Sequence, residues 1–244
     1  MEKIAKACTL VIFGITVSQV LDTALEERDL DVVELWSGVG AITSAAENAG
    51  FIAKPFDKFR RPGVTDIENP STTEDILLEA GFRRALGLVL RVRAGGLVWM
   101  APVCASWIFL SLKHTQRTRA HGPKFAGNLK YIPVQHGNRM AEMAAFLFLV
   151  AALRGVHAVV ENPASSMMFS YEPFALACSL WRDRFWAVAP HCAFSSAPFG
   201  SRFGKKFKLM CTHPWVHRLR RKCSCPGRVH KLLVVTKQWG ANVL

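Results

Sequence analysis

Apolar positions fall into short β-branched runs separated by longer stretches with helical spacing. The runs at 32–36, 51–56, 97–101, 156–161, 207–211 and 232–236 predict strands. Helical spacing predicts helices over 42–49, over 73–78 with an extension to 92, over 139–153, and over 174–184. Strands alternating with helices predict an α/β fold, with a mostly parallel sheet and helices on both faces. Two stretches lack either period. Residues 113–135 are basic and rich in Gly, Asn and Pro, and residues 191–204 carry Ser, Gly, Pro and Phe. The apolar run from Ala7 to Val17, after Lys3 and Lys6, is too short to span a bilayer. It has the outline of a secretory signal, but Val17-Ser18-Gln19-Val20 is a poor cleavage site, and the run reads as a helix beside the first strand.

Composition narrows the class. With 244 residues, half of them hydrophobic and 20% charged, the chain is a folded globular protein. Its seven scattered cysteines are odd in number, which argues against a disulfide scaffold and for a reducing compartment, nuclear or cytoplasmic. Charge is divided unevenly. Residues 1–100 hold 11 Lys+Arg against 14 Asp+Glu, whereas residues 101–244 hold 20 against 4. The basic half fits a polyanionic partner, most simply nucleic acid, or else a basic solvated surface. No membrane partner is expected. The acidic and basic halves share one sheet, so we expect a single domain: an N-terminal helix in 1–30, a core in 31–211, and a basic, Cys/His-containing segment in 212–244.

Candidate chemistry lies at strand ends, where open parallel sheets bind ligands. Glu34-Leu35-Trp36-Ser37-Gly38-Val39-Gly40 reads as a strand, a tight glycine turn and a helix start. Such a turn brings bare backbone close to a ligand, and the helix start offers amides. Asp57, ending the second strand, suits the hydroxyls of a ribose, or a helix cap. Asp75 could meet an adenine amino group, or sit in the first turn of a helix. Cys104 lies just past a buried strand and is a nucleophile if Lys113, His114, Arg117 and Arg119 favour its thiolate. Otherwise it is an inert buried thiol. Glu161 closes an apolar strand and needs a partner there; burial would make it a proton donor near neutrality. Asn162 suits a cap in the Glu161-Asn162-Pro163 turn.

Taken in order, Glu34-Leu-x-Ser-Gly-x-Gly40, Asp57, Ala101-Pro-x-Cys104 and Glu161-Asn162-Pro163 resemble the catalytic core of the cytosine-C5 DNA methyltransferases, over residues 30 to about 211. The resemblance implies a Rossmann-like sheet that binds S-adenosylmethionine. It implies cofactor contacts at Glu34, Trp36, Ser37, Gly38, Gly40, Asp57, Asp75 and Pro102. It also implies that Cys104 attacks carbon 6 of cytosine while Glu161, with Asn162, contacts ring nitrogen 3. Lys205, in Phe199-Gly200-Ser-Arg-Phe203-Gly-Lys205, stands where the family has an arginine that supports the pocket. Val103 replaces a proline of the family, Phe203 a glutamine, and Pro163 a valine. Little sequence remains for a separate target-recognition domain.

Lys113, Arg117, Arg119, Arg218, Arg220, Arg221 and Lys222 are the nucleic-acid contacts expected of the basic half, with DNA the first candidate. Cys211, His213, Cys223, Cys225 and His230 are zinc ligands by type, but their spacing is irregular and no metal is expected. Three readings stay open. One is a covalent DNA or RNA methyltransferase. Another is a weakened relative that only binds nucleic acid. The third is a methyltransferase acting on a nitrogen or a small molecule, with Cys104 structural.

Overall fold

A computed structural model describes residues 11–12, 15–16, 28–61, 64–65, 71, 73–119, 123–185, 191–195 and 206–220. Its centre is a six-stranded sheet. In chain order the strands are β1 (Leu30–Leu35), β2 (Ala53–Phe56), β3 (Val92–Met100), β4 (His157–Pro163), β5 (His191–Ser195) and β6 (Lys206–Cys211). Their order across the sheet is β2-β1-β3-β4-β6-β5. The first four run parallel, and β6 pairs antiparallel with both β4 and β5. The fold is α/β and doubly wound in the Rossmann manner.

Helices α1 (Ala41–Asn48), α2 (Glu79–Leu90), α3 (Ile132–Leu153) and α4 (Glu172–Phe185) cover the sheet. The side-chain period of two divides each strand between two cores. Val98 and Met100 of β3, with Ala158 and Val160 of β4, join the larger core with residues of α2, α3 and α4. Trp99 and Val159 point the other way, with Leu209, Cys211 and Val216, and Ile42 of α1 packs there. α3 is apolar around most of its circumference; Phe146, Leu147, Phe148 and Val150 are all buried. That is the pattern of a helix enclosed on every side, and α3 touches β3 and β4 as well as α2 and α4. Despite its length, no helix among the described residues is long and apolar enough to cross a membrane.

Several boundaries differ from the sequence reading. α2 begins at Glu79, because 73–78 form turns around Asp75. β3 therefore starts at Val92 rather than 97. α3 starts at Ile132, inside the stretch read as irregular, with Pro133 in its first turn, where a missing N–H costs nothing. β5 also falls within a stretch read as irregular. The helix expected near the N-terminus is not seen in the residues described there. Val11–Ile12 and Ile15–Thr16 pair as a short antiparallel ladder, and all four side chains are β-branched. The strand expected at 232–236 lies outside the described residues.

Candidate functional site

Strand order reverses at β1, which has β2 on one side and β3 on the other. The crevice beyond the carboxyl ends at such a switch point is the binding place of open α/β sheets. Register aligns the residues around it. Leu35 pairs with Phe56 and with Met100, and Met100 pairs with Val160. Just past that common level come Trp36 and Ser37, Asp57, Pro102 to Cys104, and Glu161 with Asn162. Sequence-predicted residues from four strands thus meet at one edge.

The glycine turn is built by two carboxylates. Glu34, buried at the end of β1, accepts from the amides of Ile42 (3.3 Å) and Thr43 (2.8 Å) and from the Thr43 hydroxyl (2.6 Å). It caps α1 in place of Gly40, which has no side chain and lies at φ 74°. The helix-start amides expected to face a ligand are therefore occupied at Ile42 and Thr43. Glu34 shapes the turn from beneath. Asp57 accepts from the Gly38 amide at 2.9 Å and from the Phe59 amide at 2.8 Å, tying the ends of β1 and β2 together. Gly38 itself lies at φ 51°, and a Cβ built there meets nothing within 4 Å, so the turn opens onto free space. Beside it, the Trp36 indole N–H and the Ser37 hydroxyl are buried without a partner. Trp36 also holds φ 55°, a costly conformation for a bulky residue. Asp75 accepts from Lys58 Nζ at 3.3 Å and from the Leu77 amide at 3.0 Å.

The segment after β3 is fixed from two sides. The Asn162 side-chain amide donates to the Pro102 carbonyl at 2.9 Å, while its Oδ1 is buried without a partner. The Trp107 amide closes a turn onto the Cys104 carbonyl at 2.8 Å, and the Met167 amide donates to the Trp107 carbonyl. Cys104 sits in this turn, partly exposed and not in a disulfide. Glu161 accepts from the Trp99 indole N–H at 3.2 Å. Sequence reasoning demanded a partner for Glu161 but missed Trp99. That pair follows from the β3–β4 register, in which Trp99 lies opposite Val159 on the sheet face it shares with Glu161, and no local signal in the sequence marks it.

One expectation fails outright. Arg117 is not a surface contact for phosphate: it is 1% exposed. It donates to the carbonyls of Ser106 (2.7 Å), Phe125 (2.6 Å) and Ala126 (3.1 Å) and to Asn138 Oδ1 (2.7 Å), and its carbon lies 3.3 Å from the centre of the Trp107 ring. Burial lowers its pKa to about 10. Arg117 holds the 106–138 region together rather than facing solvent. Lys113, Arg119, Arg218 and Arg220 are exposed. Lys205, Arg221 and Lys222, with Cys223, Cys225 and His230, lie outside the described residues. Among the described residues, no group of three or more His, Cys, Asp or Glu side chains is arranged to hold a metal ion.

No family model matches the chain, and no curated protein matches it. Among solved structures the chain is similar to the Dnmt2 methyltransferase of S. pombe, with 15% identity and a TM-score of 0.39, over 82% of this chain and 57% of that one. The chain thus spans little more than half the length of that protein.

Proposed function

We propose that this chain is an S-adenosylmethionine-dependent methyltransferase that modifies a cytosine in a polynucleotide through a covalent bond to Cys104. The observation that carries the reading is the convergence of Ser37-Gly38, Asp57, Cys104 and Glu161-Asn162 past one level of adjacent strands at the switch point.

The turn after β1 fits the cofactor. Two buried donors there, Trp36 Nε1 and Ser37 Oγ, lack protein partners, and the space over Gly38 is open. Each Asp57 oxygen already accepts one amide and keeps a second lone pair for a ribose hydroxyl. When bound, the cofactor supplies a methyl group on an electrophilic sulfonium. The chain's own residues activate the acceptor. Cys104 adds to carbon 6, forming a C–S bond, and the ring's electron pair moves toward carbon 5. Glu161, held by Trp99, hydrogen-bonds ring nitrogen 3 and supports the charge that develops. Carbon 5 would take the methyl group as the S–CH3 bond breaks and the sulfonium leaves as a neutral thioether, and would then give up its proton to a water molecule. The C–S bond breaks, releasing the Cys104 thiolate and the methylated base. Splitting one hard step into two is the benefit of the covalent route.

A second reading, a relative that binds nucleic acid without transferring methyl, is favoured by Val103 next to the thiol and by the engaged Gly38 amide. The test is incubation with methyl-labelled S-adenosylmethionine and separate DNA and RNA pools, with Cys104→Ser alongside. Label on a polymer that is lost in Cys104→Ser is the expected result. Label that survives Cys104→Ser removes the covalent route. Cofactor binding without transfer selects the binding-only reading.

A further inference from the structure

Past Cys104 the chain makes one turn to Trp107 and enters a 3-10 turn at Phe109–Ser111, which runs on as a short helix, Leu112–Thr115. Phe109 is at most about 18 Å along the chain from Cys104, even fully extended. Phe109 is 72% exposed and Leu110 67%. Leu110 and His114, four apart, lie on one side of this helical run. The His114 ring stands 6.5 Å from the ring of Tyr131, so a second exposed segment joins the first. In that segment Leu129 is 56% exposed and Ile132 59%. Single exposed apolar residues are ordinary, but an exposed apolar run beside a reactive site marks a binding surface.

Charge narrows the occupant. No Asp or Glu occurs between Glu79 and Glu142. Lys113, Arg119, Lys124 and Lys130 are all exposed around the aromatic positions. An exposed stretch that carries no acid of its own and mixes apolar side chains with cations matches a chain carrying both phosphates and bare base faces. A duplex presents its phosphates but hides its base faces.

We infer that Phe109, Leu110, His114 and Tyr131 form a stacking platform for a single-stranded polynucleotide leading to Cys104. This rests on the proposed function for its substrate class and narrows it to unpaired strands. Base faces lie on the apolar side chains, while Lys113 and Lys130 take the phosphates. Stacking suits any base, so the platform sets the strand's path and leaves sequence choice to other contacts.

The test needs no cofactor and no turnover, so its outcome is separate from that of the methyl-transfer assay. Binding of the full chain is measured by fluorescence anisotropy. The probes are a mixed-sequence DNA strand, its RNA equivalent, the matching DNA duplex, and an abasic strand of equal length and charge. The platform predicts that normal strands bind at least about tenfold more tightly than the abasic strand, and more tightly than the duplex. Phe109→Ala and Tyr131→Ala each weaken strand binding by about tenfold and leave abasic binding unchanged. Ultraviolet cross-linking of a bromouridine strand to the wild-type chain, mapped by mass spectrometry, serves if either variant fails to fold; adducts on 109–114 or 129–132 are expected. Equal binding of normal and abasic strands, preference for the duplex, or cross-links confined to 212–244 would overturn the inference. The DNA and RNA arms report which polymer is preferred.

Discussion

The side chain of Asn162 reaches from the end of β4 to the carbonyl of Pro102, two residues before Cys104, at 2.9 Å. Asn162 is 2% exposed and makes no bond through its Oδ1. One buried amide thus fixes the height of the Cys104 loop against the neighbouring strand. Asn162→Ala removes that donor and leaves the Pro102 carbonyl buried without it. The expected cost is about 1–3 kcal/mol, read from urea denaturation. Asn162→Asp, which replaces the donor with an acceptor facing a carbonyl oxygen, should cost at least as much. A stability equal to wild type in both variants would show that the loop is held elsewhere.

Glu34 predicts a different kind of failure. Its carboxylate takes the amides of Ile42 and Thr43 and the Thr43 hydroxyl from a buried position. Glu34→Ala strands those donors at the start of α1, with an expected loss of about 2–3 kcal/mol. Glu34→Gln keeps the shape and one acceptor and should cost less. Since both Glu34 oxygens are engaged at the start of α1, affinity for the proposed cofactor in Glu34→Gln should stay within a few-fold of wild type, as measured by calorimetry.

Cys104 and Cys211 should differ in reactivity. Burial raises the Cys211 thiol to about 11, and the amide of His213 that donates to its sulfur does not offset this. At pH 8 only about one Cys211 in a thousand is thiolate. Cys104 is partly exposed in its turn. Brief iodoacetamide treatment of the folded chain at pH 8, followed by peptide mapping, should find Cys104 alkylated and Cys211 intact. Alkylation of Cys211 should appear only after unfolding in urea. Equal labelling of both would contradict the buried position of Cys211.

These contrasts also show which features the sequence could carry. Although β5 was not read, the order of β1 to β4 and of the helices between them was legible because β-branched runs and helical spacing are local properties. So were Ser37-Gly38, Asp57, Cys104 and Glu161, each just past an apolar run. Arg117 was misread because nothing local separates it from Arg119. Its burial depends on Trp107, Ser106 and Asn138, which the fold brings together. Glu34 was visible as part of a motif, but its bond to a helix eight residues later was not. The start of α3 was hidden because Pro133 reads as a loop signal, although proline is also at home in a helix's first turn. Sequence reasoning therefore placed the candidate site residues past the ends of adjacent strands and missed the polar contacts that hold them there.

At the opposite end of β4, His157 stacks edge-on to His213 with ring centres 4.7 Å apart. Burial lowers the His157 pKa below its ordinary 6.5, and the neighbouring His213 lowers it further. His213 Nδ1 accepts from the Trp215 amide at 3.2 Å, an arrangement that suits a ring nitrogen without a proton. A histidine whose folded pKa lies below its unfolded value binds its proton less readily when folded. In the window between those values the unfolded chain carries more protons, so stability rises with pH. The contribution is fully present above about 6.5 and is lost as pH falls through that value toward the folded pKa. The unfolding midpoint should accordingly drop between pH 7.5 and pH 5. His157→Gln keeps a polar side chain but cannot titrate, and it should flatten part of that slope. Thermal unfolding followed by circular dichroism across this range checks the expectation. Parallel slopes in wild type and His157→Gln would assign the pH dependence to other groups.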